Sequence, residues 1–251
     1  MIFVAQEEIN LKPVSMYTIT AKLFTHVEQA IREQFPKEAT SLLKEGVSEF
    51  VLELKEIVHH YDSHYLIDDD SLFSLTKLKD DREVEKTYKN YIAVNEKIGV
   101  EEPLSIYALM AKMFAHITKV VVDRYGEIGE KTIKRGVETF GNERGQHIAR
   151  RAASVGKDNT LENYLTHYDM GRSELFEYET IYHEDEIEQT FTKCAFGHQW
   201  KADGTGEYGI LYCEMIDPSI AKGYNPNFEV VHDEYILKEG CCHFLFQLKE
   251  E

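Results

Sequence analysis

The chain has 251 residues and a formal net charge of −17, from 45 acidic and 28 basic side chains. At 43% hydrophobic and 12% aromatic with five prolines, it has the composition of a folded chain, large enough to bury a sizeable core in one large domain or two small ones. The charge excludes the cationic footprint that nucleic acids and anionic membranes need, while a small anionic ligand stays open if a locally positive pocket receives it. The start MIFVAQEEIN lacks a basic n-region, so no signal peptide is expected, and charged residues break every apolar run before about 18 residues, so no membrane span is expected. The cysteines, Cys194, Cys213, Cys241 and Cys242, all lie in the last quarter and two are adjacent. They make a poor disulfide framework, which points to reducing cytosol and a cytoplasmic protein.

Taken in order, the first half is a repeat. Pro13 to Phe50 aligns without gaps on Pro103 to Phe140 at an offset of 90, with eleven of 38 positions identical, among them Ser15/Ser105, Lys22/Lys112, His26/His116 and Gly46/Gly136. A duplicated helical pair explains this better than chance. In the second copy Leu104, Tyr107, Ala111, Phe114, Ile117, Val121 and Tyr125 form one helical stripe. A turn at Tyr125-Gly126 then leads to a second helix over 128–153. His26 and His116 sit beside the apolar stripe and read as boundary histidines. After the first copy, His59, His60, Asp62 and His64 resemble a metal cluster in type, but beside an acidic loop they read as a solvated face.

The second half changes period. Residues 175–182 alternate, placing Phe176, Tyr178, Thr180 and Tyr182 on one strand face, and 187–196 reads as the next strand. Helical spacing returns between Gly204 and Asn225 with Tyr208, Leu211, Tyr212, Met215 and Ile216, and Pro218 bends or ends that helix. Strands over 228–237 and 241–248 close a hairpin through Lys238-Glu239-Gly240, which would put His232, Glu234, Cys242 and Phe244 on one side. The predicted fold is α+β: an N-terminal helical repeat, then helices packed on a small antiparallel sheet ending in a hairpin. Residues 1–100 form the helical region with the degenerate first copy, and 101–251 the α+β domain.

Two constellations could carry chemistry. The stripe Ile133, Val137, Phe140 continues to Arg144, His147 and Arg151, and charges on a buried face must be paired or bound. From Lys112 to Arg151 there are nine basic and five acidic residues, a local excess suited to an anion such as a planar carboxylate. An internal ion pair with the acid-rich stretch Glu174 to Glu188 is the equal alternative. In the second constellation, Cys213, Glu234 and Cys242, with His232 nearby, suit zinc by type. A nucleophilic cysteine activated by His147 or another base is as open, and three small buried hydrophobes at Cys194, Cys213 and Cys242 are the bland reading.

SIYALMAKMFAHI from Ser105, FGNERGQHIARRA, KCAFGHQW (193–200), LYCEMIDPSIAKGYNP (211–226) and EGCCHFLF (239–246) together resemble the L-2-amino-thiazoline-4-carboxylic acid hydrolase family over roughly 140 residues. The ending is also similar to four-vinyl-reductase and TRAPP-like ligand-binding domains, some of which hold zinc by cysteines and a glutamate. The first resemblance implies a hydrolase in cysteine biosynthesis that opens a cyclic amidine to N-carbamoyl-cysteine. The implied roles are Arg144, Asn142 and Tyr212 for binding the substrate, Glu143 or His147 for moving protons, and Cys213 as nucleophile or metal ligand. No cofactor is required outright; zinc on Cys213, Glu234 and Cys242 is the one candidate. The expected partner is a small anionic molecule, with no nucleic acid or membrane, and homo-oligomers remain open. The second resemblance implies the alternative of a non-enzymatic small-molecule-binding or sensor domain. A scaffold with a decayed site is a third reading.

Overall fold

A computed structural model describes residues 11–57, 80–97, 99–171 and 173–249; His59, His60, Asp62 and His64 lie outside them. The architecture is α+β, with eight helices and four strands among the described residues: α1 (Met16–Gln34), α2 (Ala39–Ile57), α3 (Asp81–Lys97), α4 (Ile106–Tyr125), α5 (Glu127–Ser154), α6 (Leu161–Thr166), β1 (Glu177–Tyr182), β2 (Glu186–Lys193), α7 (Ala195–Ala202), α8 (Gly206–Tyr224), β3 (Phe228–Glu234) and β4 (Cys242–Leu248). No helix among the described residues is long and apolar enough to cross a membrane.

The matched Pro-x-Ser segments open α1 and α4. Ser15 accepts from the Tyr17 amide and Ser105 from the Ala108 amide, each at 3.2 Å, supplying acceptors for otherwise orphaned helix donors. Gly126, at φ 52°, ends α4 and starts α5, a backbone state that favours glycine. The helical pairs then pack crosswise, α1 on α5 and α2 on α4. A Cβ on Gly46 would lie 2.8 Å from the Ile117 Cα, and one on Gly136 2.8 Å from the Val27 Cα, so glycine permits both close approaches. Lys22 and His26 of α1 reach Glu143 of α5 at 2.7 and 2.6 Å. Lys112 and His116 of α4 reach Glu53 of α2 at 2.5 and 2.6 Å. Both histidines are mostly buried, at 14% and 22% side-chain exposure, and act as boundary residues.

The sheet runs β1-β2-β4-β3, antiparallel throughout. Its inner face carries Ile187, Gln189, Cys242, Phe244, Phe246 and Phe228, all buried. The apolar side chains among these join one core that runs through both helical pairs. The outer face is polar: His243 bonds Asp233 at 2.6 Å and Glu188 at 3.1 Å, and Glu188 also bonds His183 at 3.1 Å.

Two expectations change. The strand expected to reach residue 196 stops at Lys193, and α7 follows. Phe196 and Trp200 lie one turn apart, both bury, and Trp200 donates its indole N–H to the Ala111 carbonyl at 2.8 Å; tertiary burial there outweighs strand continuation. Pro218 does not end its helix: α8 runs on to Tyr224.

Candidate active site

The FGNERGQHIARR segment contributes glycines before it contributes charge. A Cβ on Gly145 would lie 2.0 Å from the Ile220 carbonyl oxygen, one on Gly141 2.6 Å from the Ser219 Cβ, and one on Gly223 2.3 Å from the Asn142 carbonyl oxygen. Only glycines let α5 and α8 cross this closely, and the crossing brings Arg144 into the electrostatic range of Tyr212 and Asp217 on α8.

Arg144 is 5% exposed. It donates from Nε to Asp169 Oδ2 at 3.0 Å and from Nη2 to Oδ1 at 2.5 Å, and its guanidinium lies 5.6 and 5.5 Å from the Phe140 and Tyr168 rings. Burial opposes both charges, yet each partner outweighs it: Arg144 holds the Asp169 carboxyl below its ordinary value, and Asp169 holds Arg144 protonated. The loop after α6 is pinned for this purpose by the Val14 amide, which donates to the Asp169 carbonyl at 2.7 Å. Of the two readings of Arg144, the structure displays the internal ion pair. Its partner is Asp169, not the acid-rich stretch, whose Glu188 faces outward to histidines. The guanidinium charge is therefore already compensated within the fold. Arg151 is likewise occupied, donating to the carbonyls of Leu11, Lys12 and His167.

Asp217 is the group the sequence reading missed. Burial pushes its carboxyl up to about 6, with Arg144 acting against the rise. It makes no hydrogen bond among the described residues, and it keeps some accessible surface. It is thus strongly desolvated yet partly accessible. Cys194, Cys213 and Tyr168 share that combination. Burial raises all three thiols around Asp217, Cys194 to about 11, Cys242 to about 12, and Cys213 well above its ordinary value. Thiolate is therefore disfavoured at each. The Cys242 sulfur also accepts from the Ile236 amide at 3.2 Å.

The other expected site residues do not meet there. Glu143 is bound by Lys22 and His26 on the seam with α1. His147 stands among Lys22, Asp169, Arg150 and Arg151; burial first, then Lys22, lowers its basicity. The Asn142 carbonyl packs under Gly223. The set Cys213, Glu234 and Cys242 is not assembled. A register shift between His232 and Glu234 turns Glu234 outward, where it accepts from the Cys241 thiol at 3.0 Å. Among the described residues no group of three His, Cys, Asp or Glu side chains could hold a metal. His232 lies between the Tyr235 and Phe244 rings, at 3.8 and 4.0 Å, and burial lowers its pKa to about 4.

Arg144, Asp169, Asp217 and the three thiols all fall within residues 106–246, the stretch that matches the family model for L-2-amino-thiazoline-4-carboxylic acid hydrolase, more than half of the chain. The chain belongs to this family. Membership supports a hydrolase-type function, and the family segment runs from the first residue of α4 into β4. No curated protein matches the chain. Among solved structures, an unliganded Fe(II) H-NOX protein mutant from K. algicida aligns over 92% of this chain and 97% of its own at 12% identity. Its TM-score of 0.26 is too low to carry an argument.

Proposed function

We propose that the protein hydrolyses a small cyclic amidine carboxylate of the 2-aminothiazoline-4-carboxylate type to the N-carbamoyl amino acid. The observation that supports this beyond family membership is Asp217, a partly accessible carboxyl on α8 that burial raises to about 6, a value that suits proton transfer near neutrality. In this reading Asp217 takes a proton from water as its oxygen adds to the carbon between sulfur and nitrogen. The tetrahedral adduct collapses to a carbonyl as its hydroxyl proton passes to the amidine nitrogen, the carbon–sulfur bond breaks, and Asp217 returns the first proton to the departing sulfur. Water is consumed and one free thiol appears. Arg144, already held by Asp169 and hydrogen-bonded to Tyr168, and the Tyr212 hydroxyl are the polar groups coupled to Asp217 that a substrate carboxylate would meet.

Incubating the purified chain with 2-aminothiazoline-4-carboxylate and following free thiol tests this. Asp217→Asn should lower turnover by about 100-fold or more, the usual scale of a lost acid–base group. No ring opening by the unmodified chain overturns the reading, and tight binding without turnover favours the small-molecule-binding alternative.

A further inference from the structure

We propose that β1 is a self-association edge: two copies of the chain pair their β1 strands antiparallel about a twofold axis at Thr180, joining their two four-stranded sheets into one.

The sheet order leaves two edges, β1 and β3, and they are built differently. β3 is blunted. The extra residue at its register shift, Asp233, lies in β3 itself, and Glu229, Asp233 and Glu234 are exposed along it. Bulges and charges of this kind keep an edge from taking a new partner. β1 lacks them over 178–182. The extra residue near its start, Thr192, belongs to β2, and the run Tyr-Glu-Thr-Ile-Tyr holds neither lysine nor proline. Tyr178, Ile181 and Tyr182 are 41%, 44% and 65% exposed. Among the described residues, β2 supplies the main packing on β1.

The hairpin fixes which backbone groups are left over. The His183 amide donates to the Glu186 carbonyl at 3.0 Å, and residues of an antiparallel pair alternate between bonded and non-bonded. Ile181 and Glu179 therefore turn their backbone groups to β2, and Tyr178, Thr180 and Tyr182 turn theirs outward. The strand is already held in this pleat: Tyr178 stacks on Phe191 at 4.7 Å, and Thr180 accepts from Gln189 at 2.9 Å.

These outward groups complement a second copy of themselves. With Thr180 opposite Thr180, Tyr178 faces Tyr182 of the other copy, and about six backbone hydrogen bonds close. The tyrosines pair on one face of the joined sheet. Just beyond the run, the exposed Glu177 carboxylate faces the exposed His183 imidazole. The neighbouring registers are worse. Centring on Glu179 sets two carboxylates directly opposite, and centring on Ile181 puts Tyr178 against Glu184 in the turn and shortens the ladder. The net charge of −17 opposes association of two copies, and the interface is small, so the dimer dissociates on dilution.

Sedimentation equilibrium of the full chain over a concentration series should show a monomer–dimer equilibrium. Thr180→Lys and Thr180→Glu each set like charges opposite at the axis and should each weaken the dimer about tenfold or more. Mixed in equal amounts, the two variants should pair again, because lysine then faces glutamate. Hydrogen exchange of the Tyr178, Thr180 and Tyr182 amides should slow as the concentration of the unmodified chain rises, while that of Glu179 and Ile181 stays constant. Should substitution at Thr180 disturb folding, seen as lost helix by circular dichroism, Tyr182→Ala at the most exposed position of the strand should weaken the dimer with the helix content unchanged. A monomer at every concentration overturns the inference, as does a dimer indifferent to these substitutions. Failure of the mixed variants to pair removes the axis at Thr180.

Discussion

Single residues around the α5–α8 crossing carry opposed costs. Asp217 titrates at about 6 in the folded chain against an ordinary 3.8, so ionising it there costs on the order of 3 kcal/mol. Because the folded value is raised, the penalty is absent below pH 3.8, grows as pH rises, and is complete above about 6. Asp217→Asn should therefore raise the melting temperature at pH 7.5 and leave it unchanged near pH 3.5; an equal gain at both would show that ionisation is not the cause. Arg144 and Asp169 behave differently. Removing either leaves a buried charge, so Arg144→Ala or Asp169→Ala should destabilise by about 3–5 kcal/mol in denaturant titrations. The double variant Arg144→Met with Asp169→Leu should recover much of that loss. A strictly additive double variant would mean that the two groups do not depend on each other. Arg144 was legible as a buried charge because it continues the stripe from Phe140. Asp169 was not, since it lies in an irregular loop 25 residues away with no periodic signal. Asp217 did have a signal: it falls one helical turn after Cys213, inside a motif the family resemblance had singled out.

The helices depend on close approaches that glycine alone allows. Gly145→Ala would force the Ile220 carbonyl away from α5. It should cost several kcal/mol, read as a lower denaturation midpoint, although alanine is the better helix former by about 1 kcal/mol. A midpoint that rises would refute the tight crossing. Glu53 ties α2 to α4: its hydrogen bond with His116 and its pairing with Lys112 outweigh burial and pull its carboxyl down to about 2 from an ordinary 4.5. Being lowered, it contributes fully above about pH 4.5 and loses that contribution as pH falls toward 2. Glu53→Gln should therefore destabilise at pH 7 and converge on the parent near pH 2, as followed by denaturation across pH. The sequence alignment stops at Phe50 and Phe140, yet Glu53 and Glu143 hold equivalent positions three residues later. Only the crosswise packing reveals them as partners of the matched Lys-His pairs. Both strand patterns of the final hairpin were also legible, but the register shift at Glu234 was not, because alternation alone does not locate an extra residue.

Across the molecule, α5 is packed by α1, α4, α6 and α8, whereas β1 is an edge strand that leaves Tyr178, Ile181 and Tyr182 exposed. Native-state hydrogen exchange should follow this contrast. Amides of 133–148 should open only with global unfolding, and those of β1 by cheap local fraying; equal protection in the two would contradict the layered core. The acidity of the chain is spread along its length and says little about the surroundings of Asp217. By itself the sequence determined the α+β class, the helical stripes, the paired helical segments and the family, because periodicity and short motifs are local properties of a chain. Which charges meet was decided only by the tertiary structure. The free energy of a buried charge depends on partners far apart in the chain: Asp169 neutralises Arg144 across a loop, and burial among neutral thiols leaves Asp217 as the charge that remains.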